Sequence, residues 1–398
     1  MPDTDTATNA MTHEELMAWA ESMVAPLSER ASEAEQLREL PQATIDDVER
    51  AGVFKMVVPS ELGGWGLGLR ALADSTRVLA HGCMSSAWTL SFLVLHNWFI
   101  VRGPRELRED VFGDRSYAMI PCPLAPTGTA TPVVGGYELN GRWQWATGVQ
   151  HGNWVMVSAM VERDGGPQPM FCLAPIADVE IDDVWHTSGM RGTGSNDVIA
   201  ESVHIPEHRT MSATDLRGDN PPGSQWSDNP FVRYPMTPVL TLVAAAPALG
   251  GAEAAVDFFK TYTKSRVLPY SLGDRQAEQG ASQARLAEAI ATIRAARLVW
   301  QDALDQLCDT YNTGTVLDRA ERSRFRLAAA HTVRLSLEAV SIVLEGSGAS
   351  VHFESSPLQR IYRDLVTLKG HVVFDWDRTT QLVGKLEAGI DPSPTDML

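Results

Sequence analysis

The chain has 398 residues, 44% of them hydrophobic and 21% charged, a soluble-protein composition with material for two or three packed subdomains. Its net charge of −17 argues against nucleic acid or an anionic membrane surface as a partner. No apolar run reaches the roughly 18 residues of a bilayer span, the acidic start MPDTDTATNA is no secretory signal, and the ten histidines lack paired ligand spacing, so no metal site is expected. Cys83, Cys122, Cys172 and Cys308 are scattered without a C-x-x-C pair, which fits free thiols in a cytoplasmic protein.

Residues 12–115 read as an N-terminal helical domain. Thr44-Ile45-Asp46-Asp47 resembles a capping box, and Gly52 supplies a C-terminal stop. Glu61 to Gly68 is a glycine-rich loop, and the apolar segment Ala71 to Ile100 is long enough for two helices broken near Gly82. From 116 to 225 the period changes to that of a middle β domain. Asn140-Gly141 signals a type I′ hairpin between Tyr137–Leu139 and Arg142–Ala146. Trp154 to Val161 and Val198 to Ile205 read as strands. Residues 226–398 return to helix, and Ala284 to Leu307 and Arg326 to Leu344 carry the small-residue spacing of a C-terminal four-helix bundle. The fold class is α+β in three parts.

The stretch Gly189-Met190-Arg191-Gly192-Thr193-Gly194-Ser195-Asn196-Asp197 has the look of a phosphate cradle. A dinucleotide fingerprint needs a third glycine where Asp197 stands, and a helix where a strand-like run follows. No P-loop pattern occurs anywhere in the chain. The stretch is therefore read as a tight polar loop between strands.

The order of these landmarks resembles the acyl-CoA dehydrogenase fold, from about residue 15 to 398. Leu40-Pro41 with Gly52 to Pro59 resembles the family's first helical hairpin, and Gly346 to Ala349, Pro357 to Arg360 and Arg363-Asp364 resemble its C-terminal flavin-side segment. Within that fold the chain is similar to the reduced-flavin-dependent monooxygenases of two-component systems, such as 4-hydroxyphenylacetate and phenolic secosteroid hydroxylases. Four matches carry this: Trp185 with Gly189 to Asn196; Trp143 to Gly148 followed by His151 and Trp154; Ser86 to Trp88 with Leu95 to Trp98; and Arg363-Asp364 with His371 seven residues after Asp364. The tail Gly389 to Leu398 resembles that of the steroid-pathway member.

A dehydrogenase of this fold needs a glutamate base after the C-terminal Arg-Asp or beside the arginine near 266. No glutamate lies between Arg363 and Lys385, and Ser265 precedes Arg266, so that chemistry lacks its base. The resemblance implies instead an oxygenase component that uses reduced flavin and dioxygen, through a flavin hydroperoxide, to hydroxylate an aromatic, phenolic substrate. By resemblance His371 is the base for the phenol, a task suited to an imidazole, and the hydroxyl of Thr147 faces the central flavin nitrogen. His96 lines the substrate pocket or packs in the core. Trp88 and Trp145 flank the isoalloxazine or pack in the core. The resemblance implies Arg191 near flavin or substrate oxygens and Arg266 on the flavin phosphate, with surface salt bridging as the other reading of each. Ala349 and Ser350 contribute backbone contacts, and Ala146 and Val372 complete the flavin-binding set. With no nucleotide fingerprint, a separate NAD(P)H-flavin reductase supplies reduced FMN or FAD. The alternatives are an N- or S-oxygenating monooxygenase of the same fold, an acyl-CoA dehydrogenase, and a non-catalytic flavin-binding scaffold. Relatives imply a homotetramer.

Overall fold

The protein, a computed structural model, is described over residues 10–113, 115–393 and 396. The first nine residues of the acidic start, and Pro394, Thr395, Met397 and Leu398 of the tail, lie outside the described residues. Helix α1 (His13–Leu37) opens on a capping box in which the Thr12 hydroxyl accepts from the Glu15 amide at 3.2 Å. Helix α2 (Gln42–Ala51) ends at Gly52, whose φ of 75° closes the helix in the left-handed region. The expected capping box at Thr44–Asp47 is corrected: the helix starts three residues earlier, with Pro41 rather than Thr44 at its N-cap. Thr44 is buried within it, and Asp47 pairs with Arg30 at 2.7 Å and Arg50 at 2.8 Å instead of capping. Helices α3 (Leu69–Leu79), α4 (Met84–Arg102) and α5 (Arg105–Phe112) follow, with the break at Gly82 where the sequence placed it.

Strands β1 (Gly128–Val133), β2 (Gly136–Ala146), β3 (Trp154–Arg163), β4 (Gly166–Pro175), β5 (Glu180–Asp182), β6 (Asn196–Pro206) and β7 (Thr210–Ser212) form one sheet in the order β5-β6-β2-β1-β3-β4-β7. All neighbours are antiparallel except β1 and β3. The Asn140-Gly141 hairpin is also corrected. β2 runs straight through that dipeptide, and the two-residue turn lies earlier, at Val134-Gly135. The long pairing of β2 with β6 wins because it buries Tyr137, Leu139 and Trp143 along one strand. Gly141 marks a register shift in that pairing, where a side chain would meet Gly128 at 2.6 Å and the Trp143 ring at 3.0 Å.

After the short α6 (Ala213–Arg217), helices α7 (Met236–Ser265), α8 (Gly280–Asn312), α9 (Arg319–Ser347) and α10 (Pro357–Lys369) form the C-terminal bundle, and α11 (Trp376–Glu387) packs on α9. The N-terminal helices and this bundle share one apolar core, while the sheet keeps a second around Trp143, Val155 and Val198. One expectation from composition fails here: α4, α7 and α9 are each long and apolar enough to cross a membrane. In α4 and α7, 94% of the apolar window is buried inside the protein, so their hydrophobicity serves the core.

The connector from the sheet to the bundle is clasped by Arg102 at the end of α4. Its guanidinium donates to the carbonyls of Leu216, Val232 and Tyr234, each at 2.7 Å, and to that of Gly218, and stacks 4.5 Å from the Trp98 ring. Replacing it leaves four carbonyls unpaired in a buried site, each costing about 1–3 kcal/mol. Arg102→Met should therefore lower the unfolding free energy by about 3 kcal/mol or more and open residues 216–234 to limited proteolysis. Urea denaturation with trypsin mapping checks both.

Candidate functional site

The loop Gly189–Asn196 is held from three sides. Met190, a non-glycine residue at φ 53°, has its amide fixed by the carboxyl of Asp364 on α10 at 2.5 Å. The loop lies so close to α10 that a side chain at Gly189 would stand 2.1 Å from the Arg363 carbonyl oxygen. Arg363 donates to the Ser188 carbonyl and pairs with Glu35 of α1 at 2.7 Å, while Arg360 binds Glu35 at 2.9 Å. Asn196 accepts from the amides of Val184 at 3.0 Å and Trp185 at 2.9 Å, and the Trp185 indole donates to the Met190 carbonyl at 2.9 Å.

The fixed loop carries two buried hydroxyls that reach back to the end of β2. Thr193 Oγ1 donates to the Met190 carbonyl at 2.9 Å and lies 2.8 Å from Ser195 Oγ. Ser195 Oγ lies 3.0 Å from Thr147 Oγ1, which accepts from Trp88 Nε1 at 3.3 Å. The amide of Gly148 donates to the Thr193 carbonyl at 2.8 Å, so backbone and side chain tie Thr147 to the loop together.

Trp88 begins an aromatic ladder on α4. Its ring lies 5.5 Å from that of His371 and 4.8 Å from Phe92; Phe92 lies 5.5 Å from His96, and His96 stacks on Phe99 at 5.4 Å. His96 is buried, its Nδ1 lies 2.5 Å from the Ile120 carbonyl, and burial pushes its pKa down to about 4. The ring is neutral at pH 7, with Nδ1 as the donor to that carbonyl and Nε2 as an acceptor. His371 is exposed at its surface, yet protein surrounds the ring closely enough that burial pushes its pKa to about 4 as well. The exposure leaves the ring reachable from solvent. Its Nδ1 accepts from the Val373 amide at 3.3 Å. The neutral ring therefore carries its proton on Nε2 and offers a donor there, a tautomer the sequence alone does not reveal.

Thus Trp88, Thr147 and His371 come together with Ala146, buried at the end of β2, and His96 one ladder further along α4. Trp145, 56% exposed, faces Trp185 at 6.0 Å, and Val372 is 43% exposed beside His371. Arg191 does not join them: its Nε donates to the Glu35 carbonyl of α1 at 3.2 Å. Arg266, Ala349 and Ser350 form a second set at the junction of α7 and α9. Arg266 Nη1 donates to Gln276 at 3.0 Å and to the Ser347 carbonyl, its guanidinium lies 5.4 Å from the Tyr262 ring, and Tyr262 meets Ser350 at 2.5 Å. Among the described residues, no hydrogen bond, ion pair or ring contact links this set to Thr147. No cluster of metal ligands occurs among the described residues. Sequence reading missed Ser195, Thr193, Asn196 and Asp364 as organisers, although the small polar run gave the signal for the first three.

Acyl-CoA dehydrogenase N-terminal and C-terminal domain profiles match residues 6–111 and 242–376. The chain is 31% identical over 382 residues to a flavin-dependent monooxygenase, oxygenase subunit HsaA, of Rhodococcus jostii (strain RHA1), covering 94% of this chain and 98% of that protein. It is 27% identical to the oxygenase component of an FADH2-dependent resorcinol hydroxylase of Rhizobium sp. (strain MTP-10005), covering 91% of each. Among solved structures it superposes on XiaF from Streptomyces sp. in complex with FADH2 and glycerol with a TM-score of 0.90 at 28% identity, covering 97% of this chain and 98% of that one.

Asp364 gives this site a pH signature. Burial raises its carboxyl from 3.8 to about 7, against the lowering effect of the Met190 amide. Stability from an acid with a raised folded pKa is fully present below the unfolded value and is lost as pH rises through the folded one. The stability of the wild type relative to Asp364→Asn should therefore fall between about pH 4 and pH 7 and level off above. Denaturant unfolding of both proteins across that range checks it, and the difference cancels the opposing contribution of the buried histidines.

Proposed function

The chain belongs to the acyl-CoA dehydrogenase family, in its branch of flavin-dependent monooxygenase oxygenase components, and from that premise we propose that it hydroxylates a phenolic substrate with reduced flavin and dioxygen. The observation that carries this reading is the meeting of Trp88, the Thr147 hydroxyl and the His371 ring beside two exposed apolar side chains, Trp145 and Val372. A flat apolar ring system would cover those two side chains, and a hydroxyl with a spare lone pair suits a ring N–H. The residues therefore fit a flavin. When bound, reduced flavin with dioxygen supplies the electrophilic oxygen atom.

The chain's own residues do the rest. Trp88 and Trp145 pack against the ring system and exclude water. Thr147 accepts a hydrogen bond from it. His371 holds the phenol oxygen through Nε2–H and so favours the phenolate, whose proton leaves to the solvent that reaches the exposed ring; the phenolate is the electron-rich form that an electrophilic oxygen attacks. This donor role replaces the base role implied by resemblance, because the Val373 amide occupies Nδ1. His96, neutral and buried, forms the far wall. Relatives named oxygenase subunit or oxygenase component support a separate reductase, and those named or solved with FADH2 support reduced FAD over FMN.

His371→Ala should lower the hydroxylation rate of phenols about 100-fold, within the range of a positioned proton-handling group, while hydrogen peroxide release continues. His371→Gln, which keeps an N–H donor, should recover much of the loss. Equal loss in both variants would return the ring to the role of base. Product and peroxide yields in single turnovers with photoreduced flavin measure this.

A homotetramer is proposed too. Only 44% of the apolar window of α9 is buried within the chain, and Leu298 of α8 and Phe353 stand exposed at 57% and 69%. Packing bundle against bundle would cover them and bring the Arg266–Ser350 set of one copy beside a neighbour. Light scattering should give four times the chain mass, and Leu298→Glu should shift the protein to smaller species.

A further inference from the structure

The hydroxyls behind Thr147 have a direction. The Met190 carbonyl only accepts, so the single proton of Thr193 Oγ1 goes to it at 2.9 Å. Ser195 must then be the donor in its 2.8 Å contact with Thr193, and Thr147 the donor in its 3.0 Å contact with Ser195. The Trp88 indole N–H, which can only donate, fills one lone pair of Thr147 Oγ1 at 3.3 Å. This is the one arrangement that makes all four contacts, and it commits Thr147's proton away from the open side. The free capacity of Thr147 is one lone pair. Ser195 and Thr193 are 4% and 1% exposed, so water has little access to compete for these bonds.

We propose that this relay makes the site read the redox state of the flavin, with Ser195 and Thr193 as positioning residues. The inference rests on the flavin reading above. A reduced flavin carries a proton on its central nitrogen, N5, and can donate to Thr147. An oxidised flavin has a bare lone pair at N5, which a second lone pair repels and leaves unsatisfied. The relay therefore favours binding of the reduced form and release of the spent one, as a chain fed by a diffusible reductase product requires. If Thr147 could rotate, it would donate to the oxidised form equally well, and the discrimination would vanish.

The test compares dissociation constants for FADH2 under anaerobic conditions and for FAD, in the wild type, Ser195→Ala, Thr193→Val and Thr193→Ser. Losing one oriented hydrogen bond, and with it the lone-pair repulsion that it enforces against the oxidised form, should shrink the preference for the reduced form about tenfold in the first two variants. The same change lowers the bound-flavin midpoint potential by about 30 mV for a two-electron couple. Thr193→Ser, which keeps the hydroxyl, should restore the wild-type ratio. Folded variants whose ratio is unchanged, or whose two constants rise in parallel, would overturn the relay and leave the flavin reading intact. A wild type that binds neither form would remove the flavin reading itself, and the relay with it. If Thr193→Val does not fold, Ser195→Ala decides alone, since it removes only an oxygen atom.

Discussion

One carboxyl holds the site in place. Asp364 on α10 takes the amide of Met190 and keeps a non-glycine residue in the left-handed region, a conformation that costs on the order of 1 kcal/mol by itself. Once Met190 is fixed, its carbonyl points where the Trp185 indole and the Thr193 hydroxyl can both use it. From there the hydroxyl relay reaches Thr147 and Trp88, and Trp88 meets His371. The helical bundle thus sets, through Asp364 and Arg363 of α10, the geometry of a loop that belongs to the sheet.

That arrangement places a buried carboxyl among part-buried charges. Asp364 is 2% exposed and shares its surroundings with Glu35, Arg360 and Arg363. Two guanidiniums meet the Glu35 carboxylate, which leaves Asp364 free to serve the Met190 amide. A part-buried ionic cluster is weak evidence for net stability. Here it fixes one register between α1, α10 and the loop, because Glu35, Arg363 and Asp364 each have a partner on a different element. The two neutral histidines follow the same logic. Packed rings hold His96 and His371 below their usual pKa, so both are uncharged at neutral pH and present defined donors and acceptors to whatever enters.

Much of the architecture was legible in the sequence, since long amphipathic or apolar segments such as Ala284–Leu307 fold as their period dictates. Short signals misled. Asn140-Gly141 has the residues of a turn, yet the pairing of β2 with β6 runs over it. Thr44–Asp47 has the residues of a cap, yet Pro41 starts that helix. In the site, the adjacency of Trp88, Thr147 and His371 followed from resemblance. The partnership of Thr147 with Ser195, 48 positions away, did not, because hydrogen bonds between loops leave no period. The His371 tautomer and the alignment of Arg191 with α1 were hidden for the same reason: each depends on where a backbone group ends up. The split between the Thr147 set and the Arg266 set also lies beyond pattern reading, because sequence order says nothing about how far apart two segments fold.

Oxygen transfer to an aromatic ring is the property on which the reading stands or falls. The direct measurement is a single turnover of the wild-type protein with chemically reduced FAD, labelled ¹⁸O₂ and a panel of phenols, read by mass spectrometry. A hydroxylated phenol carrying one ¹⁸O atom is the predicted result. Absence of labelled product across the panel, with flavin bleaching driven by an acyl thioester instead, would contradict it.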